Sequence, residues 1–216
     1  MIPRPLFSLL CLMSFFGVLP VAAQEYVAAI KMGVAVTNFS GETDASLDPH
    51  AGLTGGAAIG YDFGNGFLLQ PEILYVRKGA YADTELEFTD LEGNPIANTP
   101  VRARFDLTYL EVPLLAVYRF EGRSLEPKLF AGPYVAYKLN AVVEYRALAG
   151  GPTQSEEDDS VENFDYGAIA GVGTDFFIEA QRFSIDARAI FGQGNVRQAD
   201  PPLKLVGGVL MIGIVF

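Results

Sequence analysis

The 216-residue chain has no tryptophan, one cysteine (Cys11) and one histidine (His50). A lone cysteine leaves no partner for an intrachain disulfide. His50 follows Asp48 and Pro49, with no distinctive serine motif nearby. A covalent hydrolase needs a nucleophile within reach of a base, so His50 reads as a solvent-exposed loop residue and the chain as a non-enzyme. Basic residues are also scarce, with 15 Lys and Arg against 26 Asp and Glu and a formal net charge of -11. That balance excludes nucleic acid, whose phosphates require a basic surface. Half of the chain is hydrophobic, yet beyond residue 23 there is no run of about 20 apolar residues such as a membrane-crossing helix needs.

The one long apolar run is N-terminal. Arg4 supplies its positive start, residues 6–19 its apolar core, and Val21, Ala22 and Ala23 a small-residue cleavage site before Gln24. This is the pattern of a secretory signal peptide over residues 1–23, which leaves 24–216 as a single domain. Cys11 falls inside the signal, and Leu10 is too bulky to precede a lipidated cysteine. The mature chain therefore enters an oxidising compartment without disulfides, and strand pairing and packing must hold it together.

In place of helices the chain carries eight segments of alternating hydrophobicity, near 26–39, 52–63, 67–79, 104–120, 125–146, 163–179, 183–192 and 204–216. Each is long enough to cross a bilayer as a tilted strand of about 9–11 residues. Connections 64–66, 121–124 and 180–182 are short, whereas 40–51, 80–103 and 147–162 are long and polar. Short turns on one side and long loops on the other are a mark of outer-membrane barrels. Side chains of a strand alternate between its faces. Phe67, Leu69, Pro71, Ile73 and Tyr75 thus oppose Gln70, Glu72 and Lys78, while Leu110, Val112, Leu114, Ala116 and Tyr118 oppose Glu111 and Arg119. The apolar faces are expected to meet lipid and the polar faces the lumen.

Aromatic residues gather at both ends of these segments. Phe63, Phe67, Tyr118, Phe120, Phe176, Phe183 and Phe216 lie beside short turns or at the C-terminus, and Tyr75, Phe164, Tyr166 and Phe191 near the long loops. Two interfacial belts are expected from them. The last segment ends on Phe216, on the lipid side of a strand that must close the ring against 26–39. Phe216 is expected to be part of an assembly signal read by barrel-insertion machinery. The expected fold is an all-β, eight-stranded, antiparallel up-and-down transmembrane barrel in the outer membrane.

The segments 69–79 (L-Q-P-E-I-L-Y-V-R-K-G), 109–118 (Y-L-E-V-P-L-L-A-V-Y), 131–137 (A-G-P-Y-V-A-Y) and 164–173 (F-D-Y-G-A-I-A-G-V-G) resemble the PorT-like outer-membrane β-barrel family of Bacteroidota-type bacteria. The Q-P-E and Y-L-E-V-P-L motifs are its most specific pieces. The resemblance implies a small, plugged eight-stranded barrel and, from the founding member, a link to protein secretion.

Candidate functional residues are the inward charges Lys31, Asp62, Glu72, Lys78, Glu111, Arg119, Lys128, Lys138, Asp165, Asp175, Asp186 and Arg188. Eight strands enclose a space just wide enough for side chains to fill, and an unpaired charge there is costly. A balanced ion-pair plug is expected rather than an ion path. The acidic stretches Glu156–Asp159 and Asp83, Glu85, Glu87, Asp90 and Glu92 match no ordered calcium loop and read as solvated loop surface. Expected partners are outer-membrane lipid, the insertion machinery and an envelope or secretion protein, with no cofactor. A soluble lipocalin-like carrier is the competing architecture; it would turn the apolar faces inward.

Overall fold

A computed structural model describes residues 26–41, 46–89, 95–122, 124–147, 153–158, 160–196 and 203–216. The signal expected over 1–23, and with it Cys11, lies outside these residues, as do Asp90, Glu92 and Asp159 of the acidic stretches. Nine strands are described: β1 Tyr26–Ser40, β2 Ser46–Asp62, β3 Phe67–Thr89, β4 Pro95–Arg119, β5 Leu125–Ala147, β6 Gln154–Glu157, β7 Phe164–Ile178, β8 Gln181–Gly192 and β9 Lys204–Val215.

Eight of them form a ring of antiparallel pairs. β1 to β5 follow one another, β5 pairs with β7, β7 with β8, β8 with β9, and β9 returns to β1. Closure removes the strand edges that would otherwise leave unpaired backbone groups in lipid. The seam holds to its last rung: Phe216 and Ala28 exchange both backbone hydrogen bonds. At the β2–β3 turn Gly64 and Gly66 take φ of 79° and 84°, a left-handed conformation that glycine adopts without steric penalty.

The outward face is apolar over a continuous band. Ile30, Met32, Leu53, Ile73, Leu114, Leu129, Val172, Leu210 and Ile212 are all exposed on it. This arrangement is the reverse of a soluble carrier, whose apolar faces turn inward. Aromatic pairs rim the band: Tyr26, Tyr61 and Phe63 form edge contacts in series, as do Phe67, Tyr118 and Phe120. On the side of the long connections Tyr137 packs edge-on to Phe164.

The expected connection 40–51 is shorter than drawn, because β2 begins at Ser46, and three further expectations need correction. First, much of 80–103 is strand, not loop: β3 and β4 stay paired from Ala80↔Phe105 up to Thr89↔Pro95. Ala80, Ala82, Val101 and Ala103 point inward and are buried, alternating with Tyr81, Asp83, Arg102 and Arg104. The period of two persists beyond the bilayer, but there the outward positions are polar. Second, 147–162 contains β6, which pairs with the outer part of β5 through Val142↔Glu157 to Tyr145↔Gln154. Third, Gln181 and Arg182 belong to β8, so the β7–β8 turn is only Glu179 and Ala180.

The result is a lopsided barrel. β3, β4 and β5 run 23, 25 and 23 residues, against 12 each for β8 and β9. Two bulges re-aim side chains in the tall wall. In β5 one extra residue lies where Thr108↔Asn140 is followed by Tyr109↔Lys138; beyond it the inward positions become Ala141 and Val143. In β2 the register shifts between Pro49 and Thr54. The backbone of Gly79, left without a β2 partner at the shift, is satisfied by Thr37, whose Oγ1 accepts from its N–H at 2.8 Å and donates to its carbonyl at 3.0 Å.

Candidate functional site

The lumen is filled by layers. Its lower part, toward the short turns, holds one continuous chain of ion pairs. Asp62 binds Arg119, which lies 3.6 Å from Glu126; Glu126 binds Arg182 at 2.7 Å, and Arg182 binds Asp175 at 2.6 Å. Asp175 holds Lys128 at 2.7 Å, and Lys128 reaches Asp186 at 2.9 Å. Asp186 then contacts Lys31 at 2.8 Å and Arg188 at 3.2 Å, and both of these cations bind Glu72, at 2.9 and 2.6 Å. Five cations (Lys31, Arg119, Lys128, Arg182, Arg188) thus face five carboxylates (Asp62, Glu72, Glu126, Asp175, Asp186), so the chain of pairs is electrically neutral.

Alternation explains why these groups meet. β1, β3 and β7 each turn one charged residue of the network inward, β5 two (Glu126 and Lys128) and β8 three (Arg182, Asp186 and Arg188), with Asp62 of β2 and Arg119 of β4 at the turn end, and the ring brings them together across the axis. The space is close-fitted: a Cβ on Gly173 would lie 2.6 Å from Asp186 Oδ1 and 2.8 Å from Lys128 Cε. Gln70 adds a side-chain hydrogen bond to Glu72 at 2.7 Å, and the Arg188 guanidinium sits 5.4 Å from the Phe130 ring centroid.

Above this network lies an apolar layer, where the polar lumen expected from the sequence is not found. Leu74, Val76, Ile169, Ile190 and Met211 point inward and are buried. The cavity beside them has a volume of only about 10 Å³, and another near Lys31 and Lys128 about 20 Å³, each no more than roughly the room of one water. Higher still is a second polar cluster. Lys78 binds Glu111 and lies 3.7 Å from Asp165, which accepts a 2.8 Å hydrogen bond from Tyr134. Its ammonium sits 4.7 Å from the Tyr134 ring centroid and 5.6 Å from that of Tyr109. Phe39, Leu107, Val143, Val161 and Leu205 pack beyond it.

Of the residues singled out from sequence, Lys138 stands apart from both clusters; its ammonium donates to the carbonyl of Val161. Glu126 and Arg182, which complete the lower network, were missed. Each lies two residues from an inward position of its strand, Lys128 and Ser184; alternation within 125–146 already places Glu126 on the inward face, and Arg182 falls one residue before the expected segment 183–192.

His50 also differs from expectation. It is 1% exposed, on β2 rather than in a loop, and the bulge turns it to the outer face of the wall. Arg104 Nε donates to its Nε2 at 3.2 Å and Tyr81 packs against its ring. Burial, with Arg104 and Arg77 nearby, lowers its pKa from 6.5 against an opposing pull from Asp106. Around it, above the apolar band, Arg77 binds Asp106, Arg104 binds Asp106 at 2.9 Å and Glu144 at 3.4 Å, and Arg102 binds Asp83 at 2.7 Å. The hydrogen bond from Arg102 holds the Asp83 carboxyl below its ordinary pKa.

The outer membrane protein beta-barrel domain family matches residues 22–197 of this chain. Among curated proteins none matches. Among solved structures, OprG from Pseudomonas aeruginosa aligns over 89% of this chain and 95% of its own, with 10% identity and a TM-score of 0.51. Ail of Yersinia pestis, solved with a heparin analogue, aligns over 89% and 100% with 17% identity and a TM-score of 0.44. Neisserial surface protein A aligns over 87% and 95% with 15% identity and a TM-score of 0.44. With its closed antiparallel ring and outward apolar band, the chain is an outer-membrane protein and belongs to the outer membrane protein β-barrel domain family.

Proposed function

We propose that this protein is a closed, non-enzymatic barrel that braces its wall with lumen charges and offers its tall outer sheet to a partner in the envelope. The observation that carries the reading is the filled lumen: a neutral ion-pair network and an apolar layer stacked across the bore, with small cavities between. Charges that hold one another across a closed ring stiffen it, and each would lose its compensation if the bore opened. Planar-bilayer recording of the refolded protein tests this. The expected result is no steady conductance; sustained open-channel current would refute it. Residues 1–23 serve in this reading as the export signal, and the strand ending at Phe216 as the mark for the insertion machinery.

A second reading, an accessory role in protein secretion, is favoured by the PorT-like motifs alone. Glu72 closes the lower network through Lys31 and Arg188, and Glu111 binds Lys78 in the upper cluster, so the two acids themselves serve the plug. Deleting the gene separates the two readings. Cargo trapped in the periplasm supports secretion, and unchanged secretion leaves the bracing barrel alone.

A further inference from the structure

The upper polar cluster is not balanced as the lower network is. Lys78 is its one cation, set against two carboxylates, Glu111 and Asp165, and all three side chains are at most 3% exposed. Among the described residues no other cation forms an ion pair with either acid. With every group in its ordinary ionised form, the cluster would carry one uncompensated negative charge inside a dry bore.

The surrounding elements do not supply the missing cation. Tyr109 of β4 and Tyr134 of β5 turn their rings to Lys78, and tyrosine is neutral at ordinary pH. Lys138 of β5 gives its ammonium to the Val161 carbonyl, and Lys204 of β9 bonds Gln193 at 3.3 Å. On β8, Arg188 lies beneath the apolar layer, held by Glu72 and Asp186. Residues 34–40 of β1 contain no titratable group, and Glu162, just before β7, only adds a carboxylate. His50 of β2 turns to the outer face of the wall, toward Arg104.

A buried charge without a partner is costly, and a carboxylate escapes that cost by taking up a proton. Glu111 and Asp165 differ in how well they are paired. Glu111 takes the direct bond of Lys78, whereas Asp165 stands 3.7 Å from the ammonium. Asp165 Oδ2 accepts from Tyr134 at 2.8 Å. Its Oδ1, close against the backbone at Gly194, is buried with no hydrogen-bond partner. A metal ion does not fit in the proton's place, because the cavity that Glu111 lines is about 10 Å³, scarcely the room of one water.

We propose that Asp165 is a proton-binding site, occupied at neutral pH, and that its proton sets the strength of the brace between Lys78 and β7. Lys78 is on β3, which does not pair with β7, so the two strands meet only across the bore. Loss of the proton leaves two carboxylates competing for one ammonium. The outer half of the plug therefore loosens as pH rises, while the neutral lower network is unaffected. This site goes beyond the bracing role proposed above and stands whether or not the bore conducts.

Infrared spectroscopy of the refolded full chain in lipid vesicles tests this, because a protonated carboxyl has a carbonyl band that a carboxylate lacks. An ordinary aspartate is protonated in roughly one molecule in a thousand at neutral pH, so the expected signal is a single carboxylic acid per chain. Its band should shift when aspartate is labelled with carbon-13 at Cγ, vanish in Asp165→Asn and fade at alkaline pH. Glu111→Gln separates charge balance from burial. It leaves Lys78 facing Asp165 alone, so the proton leaves and the band disappears, whereas burial by itself would keep it. The folded chain holds one proton more than the unfolded chain, so stability falls as pH rises through the point where that proton is lost. The urea midpoint of the wild type should accordingly drop from neutral to alkaline pH relative to that of Asp165→Asn, a comparison in which His50 cancels. Heat-modifiable gel migration verifies folding; if Asp165→Asn misfolds, the label and Glu111→Gln carry the test. No band at neutral pH, a band indifferent to the aspartate label, or one that survives Glu111→Gln overturns the proton site. Parallel pH dependence of the two midpoints overturns the brace.

Discussion

Replacing Asp186 with asparagine keeps the shape of the side chain and removes one charge from the middle of the neutral lower network. Three cations lose a partner: Lys31 at 2.8 Å, Lys128 at 2.9 Å and Arg188 at 3.2 Å. None is abandoned, because Lys128 keeps Asp175 at 2.7 Å, and Lys31 and Arg188 keep Glu72 at 2.9 and 2.6 Å. The site is dry, with the Asp186 side chain 1% exposed, so the surplus positive charge has no water to relax into. Removing one partner of a buried pair costs about 3–5 kcal/mol, and the remaining partners place this case near ~3 kcal/mol. Glu111→Gln gives the contrast. Lys78 starts with two carboxylates, Glu111 and Asp165, so the loss of one leaves a neutral pair and costs only ~1 kcal/mol, as for a lost hydrogen bond. The reverse change, Glu111→Lys, sets two cations against Asp165 alone and is the severe variant at this position. Urea titration in lipid vesicles, followed by circular dichroism and the heat-modifiable gel shift, measures all three. Equal effects of Asp186→Asn and Glu111→Gln, or a loss below ~1 kcal/mol for Asp186→Asn, would refute the charge accounting.

Gly173→Val should destabilise the barrel by about 1–3 kcal/mol through overpacking, since its Cβ would press on Asp186 Oδ1 and Lys128; the same titration should show a lower midpoint. The His50 pKa is lowered in the folded chain, so below pH 6.5 the unfolded state binds a proton that the folded state resists. Its contribution is complete above that pH and fades as pH falls through the folded value. Unfolding midpoints should therefore drop on acidification below pH 6.5 in the wild type and drop less in His50→Gln. Deleting Phe216 removes the last rung with Ala28 and should slow assembly by purified insertion machinery more than it lowers the urea midpoint. Equal loss in both assays would make the residue merely structural.

The alternation of apolar and polar side chains, and the sorting of short from long connections, made the barrel readable before any coordinates. Both follow from local chemistry. A strand in lipid must show hydrocarbon on one face, and the pleat alternates faces residue by residue. That is why Leu69, Leu110 and Leu129 marked their strands, and why Glu72, Glu111 and Lys128 could be assigned to the inside. Alternation failed where a bulge inserted a residue. Pro49, which has no N–H to give a ladder, is a local hint of the shift that turns His50 outward, but nothing local to Leu139 announces the one that turns Ala141 inward, because a bulge is set by the register of the neighbouring strand. It also could not rank the inward residues: Leu74, Ile169 and Met211 share a face with acids and bases, and only closure of the ring places them in a separate layer. The partners of each charge are likewise a property of the ring. Lys31 and Asp186 are 155 residues apart, and no spacing along the chain encodes a contact made across the barrel axis.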